Sequence, residues 1–286
     1  MAKRRGRVGV VLAVGLLCAV LVGALAWFAF DLGNKGPLPP IVPEWDRCVA
    51  TTPQHTVAVS SDQAHYASII AGVALRRGLP SRAVTIALAT AYQESGIANL
   101  DYGDRDSVGI FQQRPSQGWG TEKQLMDPYY ATNAFYDELV KVPSWRTKDI
   151  NDAAQAVQRS GVPNGYRRHV PNATALASAL TGLVPGGWTC LDRASDSQGR
   201  AALSTFLNKT LGSRVGVETS GSALHVAAAS EPAAWAAAHL IVANYARYGV
   251  TKVSVAGRTW QRSAGRLPTW ASGAPNASGS VIVNFG

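Results

Sequence analysis

Tyr92-Gln93-Glu94-Ser95-Gly96-Ile97, followed downstream by Val108-Gly109-Ile110-Phe111-Gln112-Gln113-Arg114-Pro115-Ser116-Gln117-Gly118-Trp119-Gly120, is the stretch on which the reading of this chain turns. Glu94 ends the segment Arg82–Ser95, in which Ala83, Val84, Ile86, Ala87, Leu88, Ala89 and Ala91 are apolar on every side. A helix that is apolar all round is a buried one. Ser81 is placed to cap it and Gly96 to close it. A carboxyl in the last turn meets the negative end of the helix dipole, and burial also disfavours its charge. Both effects keep it protonated, as a general acid must be. An acid at a buried helix end, facing a polar Gly- and Gln-rich loop, suits glycosidic bond cleavage. The plainer reading is a glutamate that caps or bridges its neighbours.

Working outward, Ser60 and Gln63 form a capping-box pattern ahead of a helix over Ser60–Arg77 that Gly78 stops. Trp45–Ser60 reads as irregular. Asp127-Pro128 opens a helix through Phe135, Tyr136, Leu139 and Val140. Asp149 or Asn151 caps the next, Asp152–Arg159, and Ala173–Leu183 is a short one. After Cys190 the pattern changes. It reads as helix Gly199–Leu211, strand Ala223–Ala229, long helix Glu231–Tyr248, and strands Lys252–Ala256 and Ser280–Phe285. The sequence therefore predicts a mainly α domain over 48–190 and a small α+β domain over 197–286.

Ahead of these lie a basic head (Lys3, Arg4, Arg5, Arg7), an uncharged apolar run of 23 residues from Val8 to Phe30, and a Gly/Pro-rich linker over 31–47. The run is long enough for one N-terminal transmembrane helix, and the head would stay cytoplasmic. A cleaved signal is the alternative for 1–30, since Ala24-Leu25-Ala26 would serve as its cleavage site. Either way the globular part lies outside the cell membrane.

The third cysteine, Cys18, falls inside the apolar run, which leaves Cys48 and Cys190. Outside a membrane they are expected to pair, closing a loop around the motif-bearing segment. No metal-ligand spacing is present, and no cofactor is expected. The chain has 27 Lys+Arg against 18 Asp+Glu; without the four basic residues of the head the remainder is +5. That suits an anionic wall polymer or a membrane surface. No basic and aromatic stripe points to nucleic acid.

Four ordered elements resemble the lysozyme-like fold of lytic transglycosylases. Glu94-Ser95 matches the family's Glu-Ser after a buried helix. Gly109-Ile110-Phe111-Gln112 matches its Gly-Leu-Met-Gln, with Pro115 trailing. Asp127-Pro128 with Asn133 matches its Asp-Pro and Asn, and Tyr136 its following aromatic. The resemblance spans Ser61 to about Tyr166 and is narrower still to membrane-anchored lysozyme-like proteins of actinobacteria. One element departs: where the family closes its site with Ala-Tyr-Asn-Ala-Gly, this chain has Val157-Gln158-Arg159-Ser160-Gly161.

The resemblance implies a lysozyme-like domain whose catalytic acid is Glu94. Ser95, Gly109, Ile110, Gln112, Gln113, Tyr136 and Gln158 would border the sugar. Gln112, Gln113, Ser116, Gln117 and Trp119 also have the composition of a sugar-binding wall. A transglycosylase needs one carboxyl; a hydrolase needs a second, for which Asp101, Asp104 and Asp106 are available. Trp235, Trp260 and Trp270 offer either a carbohydrate platform or core packing. The expected partner is peptidoglycan, with cleavage of its glycan strands as the activity. The alternative is a non-catalytic peptidoglycan-binding or scaffold protein on the same fold. Nothing in the sequence names a protein partner.

Overall fold

A computed structural model describes residues 46–193 and 197–286. The expected transmembrane run and most of the linker lie outside the described residues. Among the described residues no helix is long and apolar enough to cross a membrane.

The chain enters through two short strands, β1 (Arg47–Thr51) and β2 (Thr56–Ser60). Two long helices follow, α1 (Ser61–Arg76) and α2 (Ser81–Ser95). Then come α3 (Glu122–Leu125), α4 (Pro128–Leu139), α5 (Ile150–Gln158) and α6 (Val170–Leu180). Strand β3 (Trp188–Leu191) returns to pair antiparallel with β1, giving the sheet order β2-β1-β3. From residue 197 onward the chain forms α7 (Gly199–Leu211), β4 (Val215–Ser220), β5 (Ala223–Ala228), α8 (Glu231–Val242) and α9 (Tyr245–Tyr248). It finishes with β6 (Val250–Val255), β7 (Arg258–Gln261), β8 (Ala271–Ser272) and β9 (Ser280–Phe285). These strands make a six-stranded sheet in the order β4-β5-β9-β6-β7-β8, antiparallel throughout.

This corrects the expected fold class, a mainly α domain plus a small α+β domain behind a transmembrane helix. The described residues form a mixed α and β fold with two antiparallel sheets, of three and six strands. The three-stranded sheet overturns the irregular reading of Trp45–Ser60. In β2 the residues alternate, with Val57 and Val59 buried and Thr56 and Ala58 exposed, the period-two pattern of a half-buried strand. Strand β3 is short and pairs across most of the sequence with β1, so its partner is invisible locally.

The disulfide Cys48–Cys190 is formed. The two cysteines stand directly opposite each other in the β1/β3 register, on the buried side of the small sheet.

The segments on either side of 191–197 share one apolar core. Gly72 of α1 lies against α7 so closely that a Cβ there would collide with the Thr210 side chain. Asn244 reaches back to α1: its amide donates to Ser68 Oγ at 3.0 Å, and its Oδ1 accepts from His65 Nδ1 at 2.6 Å. The same amide donates to Leu240 O, and the helix expected over Glu231–Tyr248 is divided here into α8 and α9. Trp235, Trp260 and Trp270 are core residues, with relative exposures of 2%, 0% and 6%, so they form no carbohydrate platform. Trp260 Nε1 donates to Thr189 Oγ1 and Trp270 Nε1 to Trp188 O, fastening the large sheet to β3.

Candidate active site

Helix α2 is buried along its length because small and branched apolar residues let its neighbours close on every side. Its end is fixed from two directions. Gly96 adopts the left-handed conformation that closes the helix, at φ 68°. Gln63, whose side chain also completes the capping box of α1, donates Nε2–H to Gly96 O at 2.8 Å. Glu94 is thus held one turn from a tied helix end.

The loop expected to face this end does reach it. Val108 and Gln113 exchange backbone hydrogen bonds of 3.1 Å, closing a tight turn over Gly109–Gln112. Ser95 Oγ donates to Ile110 O at 2.7 Å and accepts from Ala98 N at 3.1 Å. Gln158 Nε2, at the end of α5, donates to Phe111 O at 2.7 Å. The turn is therefore pinned to α2 by Ser95 and to α5 by Gln158. Ser95 spends its hydroxyl on this bracing.

Gly109 has φ 79°, and a Cβ on it would stand 2.5 Å from the Leu125 carbonyl oxygen. That backbone contact cannot relax by a rotamer change. Gly109→Ala should therefore lower stability by ~1–3 kcal/mol, the scale of strain at a left-handed non-glycine site, read as a drop in the denaturant midpoint.

The other loop residues point inward. Ile110 is fully buried, and Phe111 stacks on Phe135 with ring centroids 4.6 Å apart. Gln112 Oε1 accepts from Ser107 Oγ at 2.9 Å, and its Nε2 donates to Tyr102 O and Gly109 O. Gln113 is buried, with Nε2 donating to Ala131 O at 3.3 Å. Tyr136 is completely buried and donates its hydroxyl to Ile70 O at 3.1 Å, so it packs in the core and lines no cleft. Of the expected sugar-facing residues, Gln117, Trp119 and Gln158 line an open groove. Its volume is about 690 Å³, and Glu138, Lys141, Val142 and Arg159 also border it.

Around Glu94 itself the structure places Tyr166, which no sequence motif singles out. Tyr166 Oη donates to Glu94 Oε1 at 2.6 Å, and the Gln158 amide also hydrogen-bonds the carboxyl. Desolvation raises the Glu94 pKa above the ordinary carboxylate value, and it outweighs the two hydrogen bonds, which favour the anion. No second carboxylate and no arginine figures among the groups that shift it. Arg159, the nearest cation in sequence to Gln158, is exposed at a left-handed helix end.

Asp101 and Asp104 are exposed. Asp106 is engaged elsewhere. Arg114 Nε donates to it at 2.8 Å, and Ser116 N and Oγ at 2.7 and 3.0 Å. Chiefly because of Arg114, its pKa falls far below the carboxylate range, leaving it a poor base. Among the described residues no group of three or more His, Cys, Asp or Glu is arranged to hold a metal.

No protein-family profile matches the chain. No curated protein matches it either.

Removing the Tyr166 hydroxyl should raise the Glu94 pKa further, since the bond it makes stabilises the anion more than the neutral acid. Hydrogen bonds to charged groups contribute ~1.5–3 kcal/mol, and one pKa unit is ~1.4 kcal/mol, so Tyr166→Phe should move the titration up by about one to two units. A carboxyl carbon NMR titration of the two proteins would read this directly. An unchanged titration would detach Tyr166 from the acid.

Proposed function

We propose that this chain cleaves the glycan strands of peptidoglycan, with Glu94 as general acid, on a domain similar to the lysozyme-like lytic transglycosylases. The observation that carries the reading is the carboxyl's setting. Desolvation raises the Glu94 pKa in the direction a proton donor requires, and Tyr166 and the groove residue Gln158 orient it. Trp119 and Gln158 supply an indole for a sugar face and an amide for its hydroxyls.

A lytic transglycosylase fits better than a hydrolase. Glu94 gives its proton to the glycosidic oxygen as the C1–O bond breaks. The sugar's own hydroxyl then closes on C1 and returns its proton to the Glu94 carboxylate. No second carboxylate is needed, and Asp106, held by Arg114 and Ser116, is a poor one. The disulfide supports a place outside the cytoplasm, and the apolar run over 8–30 would anchor the chain to the cell membrane. Purified protein incubated with peptidoglycan should release muropeptides whose masses show an anhydro end. Reducing ends would assign a hydrolase. Binding without release would assign a non-catalytic peptidoglycan-binding protein.

A further inference from the structure

The far edge of the six-stranded sheet carries a second groove, separate from the candidate active site. Its volume is about 770 Å³. It is bordered by β6, β7, β8 and the connection between the last two, with Lys252, Arg262 and Arg266 as its charged residues. Hydroxyls of Thr259, Ser263, Thr269 and Ser272 complete it, with Gln261. No Asp or Glu lines it. From Pro232 to Gly286 the sequence contains no carboxylate side chain, while it contains Arg247, Lys252, Arg258, Arg262 and Arg266.

The sheet register explains how the cations gather. Lys252 pairs with Gln261 on one side and Asn284 on the other, all on the face opposite buried Val253, Trp260 and Val283. Arg266 stands on the exposed connection after β7. Arg262 lies 6.0 Å from the Tyr245 ring centroid.

The cations are exposed, so each attracts an anion weakly and salt screens it. A single phosphate would gain little here. A chain of repeated charges laid along the groove sums the small terms and releases counterions. A concave channel suits a strand more than a bilayer face. The aromatic residues beside it, Trp260 and Trp270, are buried, so no ring is offered for base stacking.

We propose that this groove binds a flexible polyanion of repeating phosphodiesters without bases, such as a polyol phosphate. The hydroxyls would take phosphate oxygens between the cations, and Lys252 and Arg266 would carry the electrostatic share.

A short poly(glycerol phosphate) chain is the probe, followed by calorimetry with the purified protein at several salt concentrations. Binding should weaken as salt rises. Lys252→Ala with Arg266→Ala should weaken it at least tenfold at low salt and reduce the log–log salt slope by about 1.4, at ~0.7 for each cation removed. Both side chains are exposed, so an unchanged thermal midpoint should accompany the weaker binding. A control removing Arg105, Lys123 and Arg146, exposed on the other segment, should bind as wild type. Equal weakening by the control would reduce the effect to net charge and overturn the site. So would absence of wild-type binding at low salt. Tighter binding to phosphatidylglycerol vesicles, or to a single-stranded oligonucleotide, would replace the proposed ligand by a membrane or a nucleic acid.

Discussion

Glu94→Gln should reduce glycan-strand release by at least ~10²–10⁴-fold, the share that a positioned general acid contributes. The substitution keeps the shape of the side chain and an oxygen for the Tyr166 hydroxyl, 2.6 Å away in the wild type. It removes the proton. Stability should move the other way. The folded-state pKa of Glu94 is raised by desolvation, so ionising it penalises the folded state as pH rises past the unfolded value. At neutral pH the neutral glutamine escapes that penalty, and the thermal midpoint of Glu94→Gln should equal or exceed the wild type. Activity lost with stability kept or gained is the signature of a functional acid. A variant that cleaves as wild type would move the acid elsewhere; one that unfolds would return Glu94 to a structural part.

The largest stability effect should come from the disulfide. Cys48 and Cys190 are 142 residues apart, and the chain-entropy relation gives about 5 kcal/mol for closing such a loop. Cys48→Ala with Cys190→Ala should lower the unfolding free energy by an amount approaching that. The urea midpoint of the wild type under reducing conditions should fall to match. The effect should not stay local, because Trp188 and Thr189 of β3 receive the hydrogen bonds of Trp270 and Trp260. A midpoint unchanged by either treatment would mean that the bond adds nothing to the folded state.

The helices that carry the site were legible because their signals are local. Gln63 three residues after Ser60 announces the start of α1, Asp127 and Asp149 announce α4 and α5, and the unbroken apolar content of α2 announces its burial. The small sheet was not, because β1 and β3 pair across a sequence separation of 142 residues, which no local pattern records. At the site the sequence placed Glu94, Ser95 and the loop together, yet it carries residue types and not directions. Gln112 and Gln113 look like sugar ligands in composition. Positive φ at Gln112, 47°, and the backbone bridge at Gln113 turn their amides into the protein instead. Tyr166 escaped notice for the opposite reason. It lies past the last recognisable motif, and only the fold after Gly161 brings its hydroxyl to a carboxyl 72 residues earlier.

The bridge between β1 and β3 also has a mechanical meaning. Strands that open and close the first half of the chain lie side by side and are joined covalently. Tension applied between the two chain ends would enter at Cys48 and leave at Cys190 without travelling through the polypeptide between them. Roughly 480 Å of contour, at ~3.4 Å for each of the 142 intervening steps, is withheld from the stretched path. The segment bearing Glu94 is thus a closed ring hung on a tether, and its own contour cannot be drawn out while the bond holds.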